Sequence, residues 1–112
     1  MKLWIDDLRL APEGYIWAKS VKEAKEIIEL YEHELQTNPP ATIEEYNKLA
    51  IEIIDIDHDA GDYARYGGDY IKLLDWLEET DRDYPIHIHS MNPVGVQNMR
   101  TIIQRNHWKE IQ

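Results

Sequence analysis

Apolar residues along this chain follow two rhythms. Four short runs are β-prone and bounded by polar or turn residues, and they read as strands: "KLWID" (2–6), "YIWAK" (15–19), "IEIIDID" (51–57) and "PIHIHS" (85–90). Between them, apolar residues return every three or four positions, which is helical spacing. The clearest helix is "SVKEAKEIIELYEHELQ" (20–36). Ser20 and Glu23 give it a capping-box signal, and Val21, Ala24, Ile28, Tyr31 and Leu35 share one face. Thr42 and Glu45 repeat the capping signal ahead of a short helix over 42–50. Tyr70, Leu73, Leu74 and Leu77 form the inward face of a helix over 69–80. Val96, Met99, Ile102 and Ile103 do the same for a last helix, which starts at Asn92–Pro93 with proline in its first turn and ends near Asn106.

Strands that alternate with helices predict right-handed crossovers and a parallel sheet. The stretches 7–14, 37–41 and 58–68 carry the Pro and Gly residues that mark turns, and Gly67 and Gly68 serve the turn that closes the last of them. The chain of 112 residues suits a single domain spanning 1–112. In parallel sheets, ligands bind beyond the carboxyl ends of the strands. Three strands deliver polar groups there: Asp6, Asp7 and Arg9 after the first, Asp57, His58 and Asp59 after the third, and His89, Ser90 and Asn92 after the fourth. Asp55 lies deeper along its strand and is placed outside the site. His87 is expected to face solvent on an edge strand, and Trp4 and Trp76 are expected in the core.

Composition narrows the chemistry. The absence of cysteine excludes disulfides, thiolate metal sites and a cysteine nucleophile, and it fits a reducing compartment. No apolar run approaches the roughly 20 residues that span a bilayer. The opening "MKLWIDD" has no long apolar segment, so a cytoplasmic protein without a membrane partner is expected. A formal net charge of −10 opposes bulk binding to nucleic acid but not to a divalent cation, and with a cation present it allows a phosphate ligand.

Carboxylates crowded at one edge raise each other's pKa unless a cation neutralises them, and oxygen donors suit Mg²⁺ or Mn²⁺. Asp6, Asp7 and Asp57 are the expected ligands, with Asp59 either a fourth ligand or the acid that orients a histidine. His58 and His89 suit general acid and base roles, since imidazole titrates near neutrality. Arg9 suits a phosphate clamp or a pairing with Glu13 or a neighbouring acid. Ser90 and Asn92 suit donation to phosphate oxygens, and Asn92 equally suits a helix cap. Tyr63 and Tyr66 cover the mouth of the site or stack on a base.

The pattern "IDD" … "WAKSVKEAKEII" … "IDIDHDAG" … "IHIHSMNPVG" resembles the cyclic-phosphate processing receiver domains, a family derived from the response-regulator receiver fold. The resemblance covers most of the chain, with residues 37–50 as an insertion. It implies a receiver-like, flavodoxin-like three-layer α/β sandwich with parallel strand order 2-1-3-4. In the parent fold an acid pair binds metal, an aspartate accepts phosphate and a Ser or Thr ends the fourth strand. Asp6 with Asp7, Asp57 and Ser90 match these positions. The parent's fifth strand and its lysine have no counterpart here, which argues against ordinary phosphorelay. The resemblance implies instead that His58, His89 and Asp57 act on a cyclic phosphate in a small molecule or at a nucleic-acid end, as a metal-assisted phosphoesterase. The residues leave open a non-catalytic module that binds a phosphorylated ligand or partner, and an acidic interaction protein. They are also compatible with a homodimer.

Overall fold

A computed structural model describes residues 1–112. Its elements run β1 (Lys2–Ile5), β2 (Tyr15–Ala18), α1 (Val21–Thr37), α2 (Ile43–Leu49), β3 (Ile53–Ile56), a 3₁₀ segment (Gly61–Tyr66), α3 (Ile71–Glu79), β4 (Ile86–Ile88) and α4 (Pro93–Arg105). The four strands are parallel and lie in the order β2-β1-β3-β4. This is the parallel α/β sheet that the alternating pattern implies, in the receiver-like strand order that the family resemblance implies. No helix is long and apolar enough to cross a membrane.

Strand alternation sorts the side chains onto two unlike faces. Leu3, Ile5, Ala18, Ile54, Ile56 and Ile86 point to one face and are fully buried. They form one core with Val21, Ala24 and Ile28 of α1, Leu73, Leu74 and Leu77 of α3, and Met99, Ile102 and Ile103 of α4. Each large side chain buried in this way contributes about 1.5–3 kcal/mol. On the opposite face, cross-strand register sets Trp17, Trp4, Asp55 and His87 in a single row. The β1–β2 connection lies over this row, because the Trp4 indole N–H donates to the Arg9 carbonyl at 2.9 Å.

Both capping signals form, with one shared variation. Ser20 Oγ accepts from Glu23 N–H and Thr42 Oγ1 from Glu45 N–H. The two glutamates then reach one residue further back than a capping box requires, to the N–H groups of Lys19 and Ala41. The expected inward faces are buried along the first half of α1 and the second half of α4, while Tyr31, Leu35 and Val96 are only half-buried. Trp76 is not core: it is half-buried, with the Arg82 guanidinium 4.3 Å and the Lys25 ammonium 5.7 Å from its ring centre.

The fourth strand is not followed by a fifth. The chain end crosses its outer edge and makes one parallel bridge, Ile86 to Glu110. Ile86 N–H donates to the Lys109 carbonyl and Ile111 N–H to the Ile86 carbonyl. Lys109 therefore sits beside the start of β4, at the opposite end of the sheet from the polar strand termini.

Away from that edge, α1 is tied to the approach to β4 by Glu32. Arg82 donates to it through Nε at 3.1 and 3.0 Å and through Nη2 at 2.8 Å, and the Tyr84 hydroxyl donates to the same carboxylate. Burial opposes the charged form of Glu32, but these hydrogen bonds outweigh it and hold the carboxyl below its ordinary range. A folded-state pKa below the unfolded one means stability that is full above the unfolded value, about 4.3, and is lost as pH falls through the folded value. Glu32→Gln is expected to lower unfolding free energy by about 1–2 kcal/mol at pH 7. The difference from wild type is expected to shrink by pH 3, as read by denaturant titration at both pH values.

Candidate functional site

Asp6, Asp57 and His89 each lie one residue beyond the last residue of their strands. The sheet hydrogen bonding nevertheless continues through them. Asp57 N–H donates to the Ile5 carbonyl at 2.9 Å, and His89 N–H donates to the Ile56 carbonyl at 3.0 Å. This register carries the three side chains onto the same face as the Trp4–Asp55–His87 row. One carboxylate oxygen from each aspartate and a ring nitrogen of His89 fall within 4.8 Å of one another.

Asp6 is almost wholly buried, with a side-chain exposure of 1%. Its Oδ1 accepts from the N–H groups of Leu8 and Arg9, both at 2.9 Å, in an aspartate-led turn that starts the β1–β2 connection. Its Oδ2 lies 2.9 Å from His89 Nε2. On the other side of the ring, His89 Nδ1 lies 2.6 Å from Asp55 Oδ1, and that same oxygen lies 2.8 Å from His87 Nδ1. The Trp4 indole stacks flat on the His89 ring, with centres 3.9 Å apart and planes 3° from parallel. His89 is therefore held at both nitrogens and on one face.

These contacts overturn three expectations. Asp55 belongs to the site, because the outer oxygen of its carboxylate reaches one residue pair along the strand to His89. His87 does not simply face solvent: a third of its side chain is exposed and its Nδ1 is bonded to Asp55. Trp4 is half-buried and supports His89 rather than filling the core. Sequence spacing conceals all three roles, since they depend on which residues face each other across strands. The "HIH" alternation of 87–89 beside the "DID" alternation of 55–57 was the available signal.

Electrostatics follow from the same geometry. Burial works against a charged His89, but Asp55 and Asp6 outweigh it and raise its pKa. Burial likewise works against a charged Asp6, but the N–H groups of Arg9 and Leu8, with His89, lower its pKa. Asp7 goes the other way: burial raises its pKa, and the negative charges of Asp6 and Asp57 add to the rise. Burial also raises the pKa of the Tyr70 phenol, and Asp7, Asp6, Asp57 and Asp69 raise it further, so the negative field of the cluster extends into the core.

A second cluster adjoins the first through Asp57, whose Oδ1 accepts from the His58 N–H at 2.7 Å. His58 Nδ1 lies 2.9 Å from Asp59 Oδ1, and Asn92 Nδ2 approaches both Asp59 oxygens at 3.4 Å. Asp59 thus orients His58 and is not in the converging donor set. Asn92 is the α4 cap, accepting from Gly95 N–H at 3.0 Å, and Ser90 Oγ accepts from Asn92 N–H at 3.1 Å. Arg9 pairs with no acid; its Nη1 donates to the His89 carbonyl at 2.9 Å, strapping the β1–β2 connection to the end of β4. Asp7 also lies outside the converging set. Its carboxylate occupies the space that a side chain at Gly61, which has φ +54°, would fill. Tyr66 is exposed near the same segment, and Tyr63 packs against the core.

A family model described as Cyclic-phosphate processing Receiver domain matches residues 1–105. No curated protein and no solved structure matches the chain.

Gly95 was not foreseen as a site residue. Its α-carbon lies directly beneath the His58 ring, and any β-carbon there would overlap the ring atoms. Gly95→Ala is expected to displace His58 from Asp59 while leaving α4 formed, because alanine is the better helix former by about 1 kcal/mol. Nitrogen-15 shifts of the His58 imidazole should move, and amide shifts along Met99–Ile103 should not.

Proposed function

Because the chain belongs to the cyclic-phosphate processing receiver domain family, we propose that it hydrolyses a cyclic phosphodiester to a phosphomonoester at the Asp6–Asp57–His89 cluster. The observation that carries this reading is the convergence of two carboxylates and one doubly held imidazole at the carboxyl ends of three strands. The donor set fits a divalent cation. Two carboxylate oxygens and a ring nitrogen suit Mn²⁺ better than Mg²⁺, which favours oxygen alone. Asp55 on the far nitrogen of His89 supplies the outer carboxylate that commonly orients a metal-bound histidine. The proton now shared between His89 Nε2 and Asp6 has to leave before that nitrogen can become a ligand, so binding weakens as pH falls.

A cation held there supplies Lewis acidity toward a phosphate oxygen and toward the attacking water. The remaining work belongs to side chains. Asp57, accepting from the backbone at one oxygen, orients the water with the other. Water adds to phosphorus, the ester bond to one ring oxygen breaks, and His58 gives that oxygen a proton. The water's proton passes to solvent, from which His58 is restored. Asp59 fixes the His58 tautomer and ring plane for this transfer. This divides the labour between the two histidines: His89, 9% exposed, is held as a ligand, and His58, 14% exposed, moves the proton. Arg9 exchanges its backbone carbonyl for a phosphate oxygen, with which its planar fork pairs more strongly. Ser90 and the first turn of α4 lie beside that position.

The test is hydrolysis of 2′,3′-cyclic and 3′,5′-cyclic nucleotides with Mn²⁺, with Mg²⁺ and with chelator, read by phosphomonoester formation. Turnover is expected with Mn²⁺ and its loss with chelator. His58→Ala is expected to lower kcat about 10²–10⁴-fold with Mn²⁺ affinity unchanged. Asp57→Asn is expected to weaken Mn²⁺ binding in calorimetry, and equal binding by both proteins would remove Asp57 from the ligand set. Ligand binding without turnover by the wild type would leave a binding module instead of an enzyme.

A further inference from the structure

His87 takes no part in the reaction outlined above, yet its contacts are those of a built site. It stands directly across from Asp55 in the β3–β4 register. Its Nδ1 and His89 Nδ1 share one acceptor, Asp55 Oδ1, at 2.8 and 2.6 Å. Exposure falls along this chain of groups, from 33% for the His87 side chain to 9% for Asp55, 9% for His89 and 1% for Asp6. Nothing in a parallel sheet needs a carboxylate at this depth, and an apolar residue would fit the row beside Trp4 and Trp17.

We infer that His87 is a positioning residue, which by donating to Asp55 holds that carboxylate in the one orientation that keeps His89 Nδ1 protonated and its Nε2 aimed at Asp6 and Asp57. Three constraints fix the His89 ring: Trp4 its plane, Asp6 one nitrogen and Asp55 the other. Of these, only the Asp55 contact decides which nitrogen stays available, and it depends on where the carboxylate points. Asp55 Oδ1 with a single donor is free to rotate about its terminal bond, because such sp³–sp² torsions have broad wells. A second imidazole on the same oxygen, anchored to the neighbouring strand, removes that freedom. The row Trp4–Asp55–His87 thereby acts as a bracket beneath the outer row Asp6–Asp57–His89.

This inference rests on the reading of His89 as a site residue, and its test avoids turnover so that the two fail separately. Protein carrying nitrogen-15 histidine gives the His89 tautomer directly in long-range proton–nitrogen correlation spectra, and Mn²⁺ alone serves as the calorimetric probe. The variants are His87→Phe, which keeps a planar ring but donates nothing, and His87→Gln, which keeps a donor. Far-ultraviolet circular dichroism confirms that both fold. His87→Phe is expected to move the His89 nitrogen shifts and to weaken Mn²⁺ binding about tenfold, the lower end of the effect of losing an outer-sphere partner. His87→Gln is expected to restore both toward wild type. Unchanged His89 shifts in His87→Phe would overturn the inference, and so would equal losses in both variants. Should the wild type bind no Mn²⁺, the shifts alone decide it, while the proposed metal chemistry falls. Absence of cyclic nucleotide hydrolysis would sink the proposed reaction and leave this result standing.

Discussion

Two buried carboxylates are tolerable at the edge of this sheet because one imidazole lies between them. Asp6 and Asp55 sit on different strands with little access to water, and each would carry a desolvation penalty of several kcal/mol if left unpaired. His89 answers both, with one nitrogen for each acid. Burial opposes the charged form of both groups, but Asp55 and then Asp6 raise the pKa of His89, and the N–H groups of Arg9 and Leu8, with His89, lower that of Asp6. The positions of β1, β3 and β4 relative to one another at the polar end follow from this pairing as much as from the apolar face beneath. The charge is still not balanced. Burial drives Asp7 toward its neutral form, and the negative charges of Asp6 and Asp57 add to that push.

The topology explains why this cluster forms at these three strands. Strand order reverses at β1, which has β2 on one side and β3 on the other, so the connections leaving β1 and β3 part company above their carboxyl ends. In parallel sheets ligands bind outside the carboxyl ends of the strands at such a reversal. The β1–β2 connection is an irregular segment, held down by the Asp6 turn, by Trp4 and by the reach of Arg9 to the end of β4. These anchors belong to residues of the site or to residues that touch them. A ligand that engages Asp6 or Arg9 therefore acts also on the segment they hold.

Elements whose logic is local were readable from the sequence. Ser20, Thr42 and Asn92 cap the helices that the spacing predicts, and the inward faces of α1, α3 and α4 match their three- and four-residue periods. The positions of Asp6, Asp57, His58 and His89 at the strand ends were readable for the same reason, since a strand end is visible in one dimension. Lateral relations were not. Asp55 looked like a stray acid inside a strand, because alternation tells which face it takes but not that His87 and His89 flank it from the next strand. Trp4 looked like core because it is large and apolar, and its polar partner lies 85 residues further along the chain. Gly95 looked like an ordinary helical glycine until the His58 ring was placed above it.

The same lateral view bears on which chemistry this end of the sheet can support. Phosphate accepted by Asp57 in a receiver needs a cation from a fifth strand to hold it, and here the bridge at Glu110 brings Lys109 to the far end of the sheet. Arg9 is the cation nearest the cluster by its contacts, and it comes from the β1 side, bonded across to β4. An arginine on an irregular segment holds an anion by a planar fork and releases it when the segment moves, which suits a ligand that comes and goes. A lysine fixed in a strand suits a group that stays attached. What surrounds Asp57 is instead lateral: its Oδ1 is held by the His58 N–H, its neighbour across the sheet is the doubly bonded His89, and Arg9 straps the end of β4 beside it.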